Sequence, residues 1–90
     1  MRLSLLQKAE IEALWHRDVA ILCLQQTAQR LGPRNAPLVS LPGDARCYAA
    51  GLYGALYEFE VSGDDELVIE KVPDIPEWAA VNDRLSRAVG

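Results

Sequence analysis

Hydrophobic residues recur along this chain at two spacings, and each spacing marks a different kind of element. From Asp18 to Leu24, DVAILCL carries six apolar residues in a row without alternation. That is the pattern of a short strand covered on both faces in a parallel sheet. LVSL at 38–41 reads as a second strand, and ELVIEKV at 66–72 as a third, stopped by Pro73. Helical spacing dominates AAGLYGALYEFE, residues 49–60, and Asp44 ahead of it predicts a capped helix from 45 to 60, broken by Ser62, Gly63 and Asp64. Ser4 with Gln7 fits a capping box and predicts a first helix over 5–15. QQTAQRLGPRNAP reads as a polar connection with room for one helical turn. Asp74 with Glu77, and Pro76 between them, predict the start of a last helix ending near Val89.

The order α-β-β-α-β-α places the chain in the α/β class. The expectation is one small three-layer domain over 1–90, with a short, mostly parallel sheet of three to four strands flanked by helices and a helical segment over 1–17 leading into it.

The middle helix poses a question. Gly51 and Gly54 lie inside it, each costing about 1 kcal/mol against alanine. At about 100 degrees per residue, Tyr48, Ala49, Leu52, Ala55, Leu56 and Phe59 share one apolar arc. Tyr53 and Tyr57 flank it, while Cys47, Gly51, Gly54 and Glu58 fall on the far side. A face pared down to small residues admits another backbone closely. Cys47, Gly51 and Gly54, with Tyr53 and, from the last helix, Arg84, are therefore the candidate docking surface. In the last helix Trp78, Val81 and Leu85 share an inner face, and Asp83 with Arg87 makes an exposed i, i+4 pair.

Charge narrows the function. The net charge is −4, with +2 over residues 1–46 and −6 over 47–90, and no basic cluster exists to follow a phosphate backbone. Direct nucleic-acid binding is not expected. The run Asp64, Asp65, Glu66 lacks the alternating ligand spacing of a calcium loop. Lys8, Glu10 and Glu12 interrupt the amino-terminal apolar residues too early for a signal peptide, and no run approaches the roughly 20 apolar residues of a membrane span, so a cytoplasmic location is expected. Cys23 and Cys47 are too few for a disulfide scaffold and read as reduced thiols. His16, the one histidine, has no nucleophile or carboxylate at a telling spacing, and CxxC and HExxH are absent. No catalytic residue, metal site or cofactor is assigned. Ligands of parallel sheets favour the carboxyl ends of the strands. Here those are Gln25 and Gln26, Ser40 to Gly43, and Glu70, so Gln25, Ser40, Gly43 and Glu70 are candidate ligand-binding residues.

The second half carries a resemblance. LPGDARCYAAGLYGALYEFE, then LVIE, then PEWAAVNDRLSRAV resembles the carboxyl-terminal domain of two-domain L-threonylcarbamoyladenylate synthases, which begin threonylcarbamoyladenosine formation in tRNA. Tyr48, Leu52, Tyr53, Ala55 and Leu56 match that family's YAxxLYxALxxLD helix, and Leu67 to Glu70 its ILVE strand. Trp78, Asp83, Arg84 and Leu85 fall in its xWxAVxDRLxRA helix. Tyr57 departs from a frequent arginine, and Phe59 and Glu60 from the usual Leu-Asp. In the family a larger amino-terminal domain handles ATP, threonine and bicarbonate, and a linker joins it to this one. The resemblance implies a Rossmann-like accessory domain, not itself an enzyme, that packs on the catalytic domain and influences closure over the nucleotide. Two other readings stand beside it: a free-standing small-molecule or nucleotide binder using the strand ends, and a self-associating unit that completes its sheet in a homodimer.

Overall fold

A computed structural model gives the structure of the chain and describes residues 2–89. Four strands and four helices alternate: β1 (Arg2–Leu6), α1 (Lys8–Ala13), β2 (Ala20–Leu24), α2 (Gln25–Leu31), β3 (Leu38–Leu41), α3 (Ala45–Ser62), β4 (Glu66–Glu70) and α4 (Ala79–Val89), the last entered through a 3₁₀ turn at Pro76–Trp78. The sheet is entirely parallel, in the order β1-β4-β2-β3. β4, the last strand in sequence, is thus inserted between the first and the second.

Connections of one hand fix where the helices go. The steps β1 to β2 and β2 to β3 cross the sheet in one direction and β3 to β4 returns in the other, so right-handed crossovers require helices on opposite faces. Accordingly α1 brings Ile11 against one face, where Trp15, Ile21, Cys23 and Val68 complete a small core. The larger core lies on the opposite face. There Tyr48, Leu52, Ala55 and Phe59 of α3 and Val81 and Leu85 of α4, with Trp78, cover Leu22, Leu24, Leu67 and Ile69. The uninterrupted apolar runs of β2 and β4 follow from this, because both of their faces are covered.

The amino-terminal helix expected over 5–15 is replaced by a strand and a shorter helix. Arg2–Leu6 pairs in parallel with β4, Ser4 opposite Val68, and pairing with a buried strand outweighs the helical propensity of its leucines. The helix start moves to Gln7, whose backbone N–H donates to the Glu10 carboxylate at 3.1 Å. The polar segment after β2 forms α2, which buries Thr27. Asp74 does not cap the last helix: Ile75 holds that position without a side-chain bond, with Pro76 following it. α3 runs to Ser62 and ends at Gly63, whose φ of +77° is the left-handed geometry that closes a helix most cheaply with glycine.

At the amino-terminal ends of the strands, one side chain ties two loops together. The Arg34 guanidinium donates to the carbonyls of Trp15 (2.8 Å), Arg17 (2.9 Å), Val19 (2.8 Å) and Pro37 (2.6 Å) and lies 5.4 Å from the centroid of the Trp15 ring. Burial lowers its pKa from the ordinary arginine value. The Trp15 indole in turn donates to the Gly32 carbonyl at 3.0 Å. β3, held here at the sheet's edge, is bracketed by Pro37 and Pro42. Arg34→Ala should therefore lower unfolding free energy by about 2–4 kcal/mol in urea titrations. Arg34→Lys should recover less than half of that, because a single ammonium cannot reach carbonyls arranged around a planar fork.

Candidate functional site

α3 begins at Asp44, whose carboxylate accepts the Cys47 backbone N–H at 3.0 Å and so satisfies one of the donors left open at a helix start. That bond is the main reason the Asp44 pKa is lowered. The Cys47 side chain is exposed, and its hydrogen bond to Asp44, with the carboxylate's charge, raises its pKa.

Toward the sheet, Tyr48 and Leu52 are fully buried, and Ala55 and Phe59 nearly so. The Tyr48 ring meets Trp78 edge to face, with centroids 5.4 Å apart. Its hydroxyl is buried with no protein partner, and desolvation, then the Glu70 charge, push its pKa up.

The outer side differs from the expectation for the two glycines. A β-carbon at Gly51 would lie 2.9 Å from Cδ2 of Leu41, so this glycine is turned toward its own strand β3 and lets the helix approach it closely. Gly54 does face open space, with nothing within 4 Å of such a carbon. The line opposite the buried arc runs through Ala50, Tyr57 and Val61, flanked by Tyr53 and Gly54, all exposed. Tyr53, Tyr57 and Val61 are 64%, 67% and 68% exposed. Counting from the middle of the arc that is actually buried, rather than from the small residues, would have found this line. From α4, the Arg84 guanidinium lies 4.3 Å from the centroid of the Tyr53 ring, a cation–π contact between two residues singled out from the sequence.

The other four candidates do not share a site. Gln25 is exposed at the start of α2, and Ser40 is half-buried in β3, paired with Cys23. Gly43 lies under the Gln26 side chain, whose Oε1 would be 2.5 Å from a β-carbon there. Glu70 is buried, and its carboxylate accepts the Leu24 backbone N–H at 2.9 Å and the Thr27 hydroxyl at 2.8 Å. Both oxygens are thus engaged within the fold. The open cleft at the carboxyl ends of the strands, about 580 Å³, is lined instead by residues 7–9, Leu24, Gln26 and residues 71–74. Three of these follow β1, which helical propensity had hidden in the sequence. No group of three or more His, Cys, Asp and Glu side chains gathers among the described residues, and no helix among them is long and apolar enough to cross a membrane.

This four-stranded parallel sheet, with its capped α3 and closing α4, is matched over residues 3–90 by the family model described as threonylcarbamoyl-AMP synthase, C-terminal domain. The chain belongs to that family. The match spans nearly all ninety residues, and the catalytic domain of the synthase is not among them. No curated protein and no solved structure matches the chain.

Two measurements check the geometry of α3 in this family member. Gly54→Ala should raise stability by about 0.5–1 kcal/mol, since helix propensity is gained in open space, whereas Gly51→Ala should gain less because Leu41 must move aside. Thiol labelling of the native protein should modify Cys47 and spare Cys23, which burial pushes up to about 12. Asp44→Asn should speed the Cys47 reaction near neutral pH by removing the charge that disfavours its thiolate. The ionised Asp44 is the form the fold favours, so its contribution to stability is complete above the usual carboxylate range and fades as pH falls through its lowered pKa.

Proposed function

We propose that this chain is a non-catalytic accessory module that docks on the catalytic domain of a threonylcarbamoyl-AMP synthase and influences closure of its nucleotide site during threonylcarbamoyladenosine formation. The observation that carries this reading is the exposed line on α3. Single apolar residues at a surface need no explanation, but here Tyr53, Tyr57 and Val61 follow one another along one helix beside Ala50 and Gly54. Covering each large side chain is worth about 1.5–3 kcal/mol.

The chemistry of the patch suits protein contact. Tyrosine and arginine are the residue types that carry much of the binding energy at interfaces, and the contact of Arg84 with Tyr53 restricts both side chains before a partner arrives. Gly54 leaves a gap in which a partner's backbone or side chain fits. The docking surface is accordingly Tyr53, Gly54, Tyr57, Val61 and Arg84, with Cys47 at its margin and Gly51 committed to β3.

The test mixes the chain with a separately produced catalytic domain of a threonylcarbamoyl-AMP synthase and follows threonine-dependent ATP consumption. The chain should change the rate, and Gly54→Trp or Tyr57→Asp should abolish most of that change while circular dichroism and thermal midpoint stay near those of the parent. A turnover rate indifferent to the added chain overturns the proposal.

A further inference from the structure

The cleft at the carboxyl ends of β1, β4 and β2 gathers something the composition makes rare. The chain contains two lysines, Lys8 and Lys71, far apart in sequence, and both line this one cleft. The fold brings them together by strand register. Leu6 pairs with Glu70 where β1 and β4 end, and the Lys71 backbone N–H donates to the Leu6 carbonyl at 2.9 Å, so the two lysines leave neighbouring strand ends.

Neither lysine is in an ion pair among the described residues, although the chain as a whole is acidic. Glu70, next to Lys71, gives its oxygens to Leu24 and Thr27 instead. With two lysines and a single acidic side chain, the lining carries a net positive charge that an added anion offsets. Buried Leu24 and Val72 supply apolar wall, Gln7 and Gln26 neutral donors, and Asp74 the one acidic group in the lining. Open α/β sheets take ligands in this position, outside the strand ends where neighbouring strands lead to helices on opposite faces.

We propose that this cleft binds a small doubly charged anion, of the phosphate or dicarboxylate type, between Lys8 and Lys71. The site is independent of the docking face on α3, and either can stand without the other.

Proton–nitrogen correlation spectra of the isotopically labelled chain, recorded during separate titrations with inorganic phosphate and with succinate at constant ionic strength, test this. Saturable shifts of the Gln7, Lys8, Lys71 and Val72 amides are expected with at least one of the two, and which one saturates identifies the anion type. The paired substitution Lys8→Gln and Lys71→Gln should weaken binding at least about tenfold with the spectrum otherwise preserved. The paired control Arg2→Gln and Arg17→Gln, an equal loss of charge at the amino-terminal ends of β1 and β2, should leave binding unchanged. Shifts that rise linearly without saturating for both anions, or an equal weakening with the Arg2→Gln and Arg17→Gln pair, overturn the proposal.

Discussion

Everything in this fold waits on the insertion of β4. Leu67, Val68 and Ile69 are essentially inaccessible to solvent and belong to both cores at once, Leu67 and Ile69 to the α3/α4 face and Val68 to the α1 side. Without β4, β1 has no partner and β2 keeps only the edge strand β3. Where β4 ends, the Glu70 side chain carries the bonding further, taking the Leu24 backbone N–H and the Thr27 hydroxyl. A carboxylate withdrawn from water is costly unless its bonds are made, and these bonds fix β4, β2 and α2 relative to one another.

That topology shapes the surface. α3 must cross back over the sheet to deliver β4, so it lies along one face with one side sealed and the other free. The exposed aromatic line on α3 and the lysine cleft at the strand ends are thus different products of a single topology. The first comes from α3 lying in an outer layer, where one side of a helix meets the sheet and the opposite side does not. The second arises where β1 and β4 end together and their following segments part to opposite faces.

Much of this was legible in the sequence. The doubly covered strands announced themselves as unbroken apolar runs, LVSL kept its limits, and Asp44 capped the helix that its position promised. Leu3 and Leu5 were harder, because leucine is a good helix former and only the presence of β4 beside them makes a strand. Thr27 and Glu70 were opaque for a related reason: Thr27 lies in a polar-looking segment and Glu70 at the end of an apolar strand, and neither position gives a sign that the two are buried against each other. Gly51 and Gly54 looked equivalent, three residues apart. Their difference depends on Leu41, a neighbour that helix periodicity does not contain.

The prolines that bracket β3 bear on how this edge of the sheet meets other chains. A sheet whose rim lies open invites a stray strand to continue it. Pro37 turns its carbonyl inward to the Ile21 N–H, while Pro42, of the outward-facing register, lacks the amide hydrogen that an incoming strand would need at the end of this four-residue rim. The β3 rim is therefore a poor template for an added strand.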